Sequence, residues 1–259
     1  MDASPVPDGV PMTVSLDDMR DYFGQRTPKY DSSSSWVGDD RLGQLMTDML
    51  GLGEGERVLD VASGTGMLGK TLAPSGAHVV GLDYTPAMME GTRPHYAELV
   101  LGDAHAMPFD DATFDAVVCR QGIQFMDAPR AAAEMARVVR PGGRVVLMHL
   151  ACYGEDDREE TFEIQRLRNP VRLNYFVADD QPRLLRDAGL DVDRIEHYHT
   201  HESARNWLGK GSIPAERQQA AFAIYRDASP AFRASHALEE REGDYIDRML
   251  FVLARGVRR

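Results

Sequence analysis

The chain has 259 residues, 43% of them hydrophobic and 27% charged, the balance of a soluble globular protein that can bury a substantial core. The formal net charge of −12 repels phosphate backbones and so argues against a nucleic-acid partner. No apolar run approaches the roughly 20 residues that a membrane span needs. Cys119 and Cys152 are the only cysteines, too few for a four-ligand zinc site and typical of a reducing compartment. We expect a cytoplasmic monomer or homodimer without a membrane span.

Residues 1–50 are predicted to form an N-terminal helical arm or lid. Pro5, Pro7 and Pro11 argue against a helix at the very start of this segment. The start also lacks a basic stretch followed by an apolar run, so no signal peptide is expected. The helix of the arm is predicted around residues 17–31.

Residues 57–150 alternate short apolar runs with helical segments. Five runs rich in valine and leucine end at a glycine or a polar residue, as buried parallel strands do: residues 57–62, 78–83, 97–103, 114–119 and 143–149. Before the last run, residues 128–143 have helical spacing until Pro141-Gly142-Gly143 ends the helix. The repeated strand–helix–strand order predicts a doubly wound α/β sheet.

The C-terminal third continues this pattern with a long interruption. A helix is predicted over residues 180–190, a strand over residues 191–202 and a final strand over residues 244–256. The polar helical segment between the last two strands is longer than an ordinary connection. We therefore predict one domain over residues 51–259, with lid insertions near residues 151–178 and 203–243.

A glycine-rich turn follows the first predicted strand, in the segment VLDVASGTG. Gly64 and Gly66 allow a sharp bend and a close approach of the backbone to a ligand. The helix that follows presents unpaired N–H groups to a ligand carboxylate or another acceptor. A glycine turn of this kind also occurs for purely structural reasons, so it indicates a ligand site only together with the acidic residues at the neighbouring strand ends.

Carboxylates end the first three predicted strands. Asp60 ends the first, Asp83 the second and Asp103 the third, and parallel strands end at the same edge of the sheet. A carboxylate at the position of Asp83 can accept both hydroxyls of a ribose, and Asp103 can accept from an adenine amino group. Three carboxylates in one crevice suit a cationic nucleoside better than a diphosphate.

These segments resemble the class I S-adenosylmethionine-dependent methyltransferases, in the small-molecule group that includes ubiquinone and menaquinone biosynthesis enzymes. The resemblance rests on VLDVASGTG, GLDYTPAMM, GDAHAMPFDDATFDAVVC and RVVRPGGRVVL, and it covers about residues 57–150. It implies a Rossmann-like seven-stranded sheet, mostly parallel with an antiparallel last strand, and helical lid insertions. It also implies S-adenosylmethionine as the methyl donor and S-adenosylhomocysteine as the product.

The resemblance implies a cofactor site, carried over residue by residue. The matching positions are Asp60, Ala62, Ser63, Gly64, Gly66, Asp83, Tyr84, Met88, Asp103, Ala104 and Arg120. Asp60 and the loop 62–66 would face the methionine portion, and Asp83 the ribose. Met88 would cover one face of the adenine, with Asp103 and Ala104 at its edge. Ala62 stands where many members have glycine, a change expected to do little harm.

Three residues are candidates for catalysis. Arg120 and Gln121 follow the fourth strand, where the family places groups near the sulfonium and the acceptor. His149 ends the fifth strand and is the best candidate for a base that deprotonates a phenol or hydroxyl, although a single histidine there is more often structural. Aromatic side chains in the arm, in residues 161–176 and in the late insert suggest a flat or hydrophobic acceptor.

Several alternatives stay open. His197, His199 and His201 alternate on one strand face, but an exposed edge strand explains them better than a metal site, and no metal is expected. The weak pattern Gly64-Thr65-Gly66-Met67-Leu68-Gly69 leaves a nicotinamide-dependent oxidoreductase as one alternative. An enzyme of the same fold that binds S-adenosylmethionine but catalyses a cyclisation is a second, and a noncatalytic binding protein is a third. The favoured hypothesis is O- or C-methylation of an aromatic, quinone-like or secondary-metabolite acceptor.

Overall fold

A computed structural model describes residues 14–27, 30–32, 34–210 and 213–259. Its centre is a twisted sheet in the order β3-β2-β1-β4-β5-β8-β6. The strands are β1 (Arg57–Val61), β2 (His78–Asp83), β3 (Glu98–Leu101), β4 (Phe114–Arg120), β5 (Val139–Ala151), β6 (Leu190–Ser203), β7 (Glu239–Arg241) and β8 (Asp244–Arg258). Strands β1 to β5 pair in parallel, whereas β8 runs antiparallel to both β5 and β6. The predicted doubly wound, Rossmann-like sheet with an antiparallel last strand is confirmed.

The short strand β7 is an addition that the sequence patterns did not predict. It is exposed, three residues long and paired with the start of β8. The connection uses Glu242 and Gly243, which both have positive φ, at 51° and 71°. Two such residues are typical of the tight turn of a β-hairpin. The sheet therefore has eight strands instead of seven, and three charged residues without an apolar pattern form the extra one.

Ten helices are assigned within the described residues. They are α1 (Leu16–Arg26), α2 (Asp40–Leu50), α3 (Met67–Leu72), α4 (Pro86–Met89), α5 (Ala128–Val138), α6 (Arg158–Arg168), α7 (Asp180–Asp187), α8 (Ala204–Gly209), α9 (Ala215–Arg226) and α10 (Pro230–Ser235). Helix α1 begins at a capping box formed by Ser15 and Asp18. The proline-containing segment 1–13 lies outside the described residues. No helix in the described part of the chain is long and apolar enough to cross a membrane.

Several boundaries differ from the predicted ones, and two of these differences concern strands of the parallel part of the sheet. Helix α5 ends at Val138, and the extended backbone of Val139 starts β5 four residues before the predicted strand. Strand β3 is shorter than predicted, because Gly102 and Asp103 lie in the loop that follows Leu101. In spite of both differences, the carboxyl ends of these strands still lie at the same edge of the sheet.

The sheet has apolar cores on both faces. Helices α2, α3, α8 and α9 pack on one face, and α5 and α7 cover the other. In β1, Val58 belongs to the first core while Leu59 and Val61 belong to the second. Because side chains alternate along a strand, Asp60 points to the same face as Val58 and is buried there.

A buried charged histidine joins the C-terminal insertions to the sheet. His236, at the end of α10, lies 2.7 Å from Asp247 of β8 through Nδ1 and 3.0 Å from Asp157 through Nε2. Burial by itself would lower the pKa of His236, but the hydrogen bonds to the two carboxylates outweigh it and raise the pKa to about 9. Asp157 directly precedes α6, so this cluster connects α6, α10 and β8.

Candidate active site

The glycine loop between β1 and α3 has left-handed backbone at three residues. Ala62, Gly64 and Gly66 have φ of 59°, 53° and 80°. Glycine adopts this conformation without strain, whereas in alanine it costs roughly 1–2 kcal/mol. Alanine at position 62, where the resemblance implies glycine, therefore strains the backbone. Gly66 starts α3 and faces Thr92, so it shapes the loop without lining a cavity.

Asp83 connects the glycine loop to the next strand end. Its Oδ2 accepts from the Gly64 N–H at 2.8 Å and its Oδ1 from the Thr85 N–H at 2.8 Å. These two backbone donors fix the orientation of the carboxylate. Burial raises the pKa of Asp83, and the backbone N–H donors oppose that shift. Asp83 thus holds the loop in place and faces a large cavity.

That cavity, which we call the nucleoside cavity, encloses about 740 Å³ including its open mouth. The predicted cofactor residues on its wall are Ala62, Gly64, Asp83, Tyr84, Met88, Asp103 and Ala104. Leu16, Met19 and Phe23 of α1 add apolar surface, so the N-terminal helix forms part of the wall. Carboxylates at one side and apolar groups at the other suit a ribose with an attached base.

His105 is a wall residue of the nucleoside cavity that the sequence analysis did not single out. Its backbone N–H and its Nδ1 lie 2.9 and 2.6 Å from Asp103 Oδ1. Its Nε2 accepts from the Asp127 N–H at 2.9 Å, which assigns the ring proton of the neutral form to Nδ1. His105 therefore orients the Asp103 carboxylate. The signal for it was its position two residues after Asp103 in the GDAHAM segment.

A second cavity of about 420 Å³ lies on the other side of the glycine loop, and we call it the loop cavity. Asp60 is on its wall and accepts from the Tyr96 hydroxyl at 2.6 Å. Burial raises the pKa of Asp60 to about 7, although this hydrogen bond and the charge of Arg120 oppose the shift. Ser63 and Arg120 also line this cavity.

Arg120 links the loop cavity to the N-terminal segment. Its Nη2 donates to the carbonyls of Trp36 at 3.0 Å and Val37 at 2.8 Å. Arg120 lines the loop cavity together with Asp60, and burial lowers the pKa of its guanidinium. A cation and a carboxylate on one wall match the two charged groups of an amino acid.

A third cavity, the arginine cavity, encloses about 430 Å³ beside the other two. Arg26, Arg168 and Arg172 line it, together with Trp36 and Trp207. Its walls come from α1, from α6 with the segment after it, and from α8.

Tyr30 and Gln121 line all three cavities. Gln121 has a positive φ of 54°, and its buried Nε2 has no hydrogen-bond partner among the described residues. Strained backbone at a non-glycine residue is typical of functional positions, where the surrounding structure compensates the cost. Tyr30 was considered only as aromatic surface of the lid, but it lies at the junction.

His149 is not brought to this junction. It is fully buried and lines none of the three cavities. Its Nε2 lies 3.0 Å from Nη2 of Arg172, and a guanidinium can only donate, so the ring nitrogen accepts and the histidine is neutral. Burial and the charge of Arg172 lower the pKa of His149 well below 6.5. The geometry indicates that His149 positions the Arg172 side chain by accepting its hydrogen bond.

The three alternating histidines lie on the exposed face of β6, the last strand of the sheet. The ring of His199 stacks on Tyr153 at 5.9 Å between centroids. Among the described residues, no group of three or more histidine, cysteine or acidic side chains is placed to hold a metal ion.

Known proteins with similar sequence and structure are methyltransferases or share their fold. A sequence model described as a methyltransferase domain matches residues 59–147. Demethylmenaquinone methyltransferase of Mycobacterium marinum is 37% identical over 213 residues, 81% of this chain and 87% of the relative. The enzyme of that name in Clavibacter sepedonicus is 40% identical over 134 residues, 48% of this chain and 55% of the relative, so that match spans about half of each.

Solved structures with a similar fold include a putative methyltransferase of Bacillus halodurans, which superposes with a TM-score of 0.76 at 23% identity and covers 85% of this chain and 99% of that chain. The YcgJ protein of Bacillus subtilis superposes with a TM-score of 0.79 at 21% identity, covering 85% of this chain and 99% of that protein. At this identity the likeness shows the fold alone, and the sequence relatives supply the family. The chain therefore belongs to the class I S-adenosylmethionine-dependent methyltransferases, in the group that contains the demethylmenaquinone methyltransferases.

Proposed function

We propose that this protein transfers a methyl group from S-adenosylmethionine to a small molecule bound in the arginine cavity. The observation that carries this proposal is the meeting of three cavities at Tyr30 and Gln121. The residues of the nucleoside and loop cavities would hold the donor, and an acceptor in the arginine cavity would reach it at the two residues that all three cavities share. Methyl transfer needs such an alignment of the acceptor with the methyl–sulfur bond.

The donor site divides between two cavities. In the nucleoside cavity, Asp83 accepts from the ribose hydroxyls, Met88 packs on the adenine, and Asp103 with Ala104 contacts the adenine edge. In the loop cavity, Asp60, Ser63 and the loop backbone face the methionine portion, and Arg120 binds its carboxylate. The distances and burial described above support these assignments.

Bound S-adenosylmethionine supplies a methyl group that is already activated by the sulfonium, so the protein mainly positions the acceptor and excludes water. Gln121 is placed to orient the acceptor through its unpartnered side-chain N–H. The predicted base role of His149 has no direct geometric support, because Arg172 occupies its Nε2. We assign His149 a positioning role through Arg172.

The lid segments are also part of this proposal. Helix α1, the insertion near residues 151–178 and the insertion near residues 203–243 cover the arginine cavity and keep water out.

The names of the relatives favour a quinone-like or phenolic acceptor, methylated at oxygen or carbon. The free, buried thiols of Cys119 and Cys152 support a reducing, cytoplasmic location.

The proposal is tested by release of S-adenosylhomocysteine with a panel of quinols, phenols and aromatic acids. We expect turnover with at least one acceptor, equal amounts of methylated product and S-adenosylhomocysteine, and loss of donor affinity by about tenfold or more in Asp83→Asn. Asp110→Asn, in an exposed loop, is the matched control. Conversion of an acceptor without consumption of the donor would indicate a cyclisation or a related reaction and would refute methyl transfer.

A further inference from the structure

Two glutamine side chains lie next to each other on the wall of the arginine cavity. Gln121 and Gln124 are 9% and 3% exposed, and both line this cavity. Gln121 directly follows β4, and Gln124 lies in the short helical turn after it, Ile123–Phe125. The backbone carbonyl of Gln124 accepts from the N–H groups of Leu173 and Asn174, at 2.9 and 3.0 Å. The insertion after β5 therefore holds this turn in place at the cavity wall.

The hydrogen bonds between the two glutamines determine which end of each amide is free. Gln124 Nε2 donates to the Gln121 carbonyl at 2.8 Å and lies 3.4 Å from Gln121 Oε1. Turning the Gln124 amide over would bring its oxygen against that carbonyl oxygen, so Oε1 is the end that is left free. The free atoms of the pair are the acceptor Gln124 Oε1 and the donor Gln121 Nε2. Neither has a hydrogen-bond partner in the described structure.

Gln124 Oε1 has the opposite polarity to the other unpartnered atoms of this wall. Arg26 Nε, Trp36 Nε1 and Trp207 Nε1 are buried without a partner among the described residues, and all three can only donate. Gln124 Oε1 is thus the one unpartnered acceptor among the buried side-chain atoms of the described wall. Buried polar groups in proteins are almost always hydrogen-bonded, so an adjacent free donor and free acceptor need an explanation. A ligand that both accepts and donates supplies one.

A hydroxyl group is the smallest group that satisfies both atoms. Its O–H donates to Gln124 Oε1 while an oxygen lone pair accepts from Gln121 Nε2. A carbonyl or an ether oxygen can only accept, so either would leave Gln124 Oε1 buried without a partner. Neither amide is a base at neutral pH, so the pair recognises a hydroxyl group without removing its proton.

We propose that Gln124 and Gln121 determine specificity by binding a hydroxyl group of the methyl acceptor, and that they discriminate against an ether or carbonyl oxygen at the same position. This inference rests on the proposed function, because it places the acceptor in the arginine cavity. Gln121 also lines the nucleoside and loop cavities, so the bound hydroxyl group lies at the end of the acceptor that is next to the donor site.

Three ligands with one ring system separate the two hydrogen bonds. With S-adenosylhomocysteine at saturation, equilibrium dialysis measures the affinity of the protein for 2-naphthol, for its methyl ether and for naphthalene. The naphthol can donate and accept, the ether can only accept, and naphthalene can do neither. We expect the naphthol to bind about tenfold more tightly than the ether, which leaves Gln124 Oε1 buried without a partner. The ether should bind about threefold more tightly than naphthalene, because it still accepts from Gln121 Nε2.

Substitutions assign each preference to one glutamine. Gln124→Met removes the free oxygen at a similar side-chain length, so the preference for the naphthol over the ether should fall to about twofold or less. A steric penalty from the ether methyl group would persist in this variant, whereas the effect of a lost hydrogen bond would not. Gln121→Met should instead remove the preference for the ether over naphthalene. Gln219→Met, on the exposed side of α9, is the matched control and should retain both preferences.

Calorimetry with S-adenosylhomocysteine verifies that each variant is folded, and the wild-type ligand series is decisive even where a variant is not. Equal affinities for the naphthol and the ether overturn the inference, as does an unchanged preference in folded Gln124→Met. A wild-type protein that binds S-adenosylhomocysteine but does not distinguish the three compounds refutes only the hydroxyl recognition. A wild-type protein that does not bind S-adenosylhomocysteine refutes the proposed methyl transfer.

Discussion

Binding of S-adenosylmethionine is predicted to expel a proton from Asp60. This carboxyl is buried at the loop cavity with a pKa of about 7, so in the free protein at pH 6 about nine-tenths of the molecules carry its proton. The donor is cationic at its sulfonium and its ammonium, and a nearby cation favours the ionised carboxylate. Each binding event at pH 6 should therefore release close to one proton, and at pH 8.5 almost none. The same linkage makes binding weaker as the pH falls, by about 25-fold between pH 7.5 and pH 5.5.

Calorimetric titration in two buffers of different ionisation enthalpy measures this proton release directly. Asp60→Asn is the control variant, because it removes the titrating group and retains its size. Burial also raises the pKa of Asp83, and that contribution remains in the variant, so the difference between the two proteins belongs to Asp60. Equal proton release at pH 6 in the wild type and in Asp60→Asn would refute this reasoning.

Three further predictions concern substitutions of His236, Ala62 and Tyr96. His236→Gln should lower the free energy of unfolding at neutral pH by about 3 kcal/mol, since its pKa rises from 6.5 to about 9 on folding. This stabilisation is fully present below pH 6.5 and is lost as the pH rises through 9, so in denaturant titrations the wild type should exceed the variant in free energy of unfolding at pH 6 and lose that advantage at pH 10. Ala62→Gly should raise the free energy of unfolding by up to about 1 kcal/mol in the same assay, because the strain of the left-handed backbone at alanine outweighs the greater entropy of glycine in the unfolded chain. A clear fall in the free energy of unfolding would contradict this prediction. Tyr96→Phe removes a hydrogen bond that lowers the pKa of Asp60, so it should move proton release on donor binding to higher pH, and an unchanged profile would argue against that bond.

The proximity of the glycine loop to the strand-end carboxylates could be predicted from the sequence because it is local. Asp60 and Asp83 end adjacent parallel strands, and the loop after Asp60 follows directly in the chain, so strand order alone brings them together. The position of Gly64 follows from that of Asp60, because Gly64 lies only four residues later in the chain. The structure places the Gly64 N–H within hydrogen-bonding distance of Asp83.

The arginine cavity could not be predicted, since it depends on long-range packing. Arg26 contacts Asn169, 143 residues away, and no periodicity predicts that pair. Tyr30 looked like lid surface because its position at the junction depends on how the N-terminal segment folds over the sheet. His149 was considered a base because it ends a strand at the correct edge. Whether its side chain faces the cavity or Arg172 depends on the insertion after β5, which the sequence patterns did not resolve.

The measurement that tests the central claim most directly is a calorimetric comparison of S-adenosylhomocysteine and NAD⁺ as ligands of the wild-type protein and of Asp83→Asn. The account predicts saturable binding of one S-adenosylhomocysteine per chain, affinity weaker by about tenfold or more in the variant, and no binding of NAD⁺. Binding of NAD⁺ in place of S-adenosylhomocysteine, or an affinity that Asp83→Asn leaves unchanged, would contradict it.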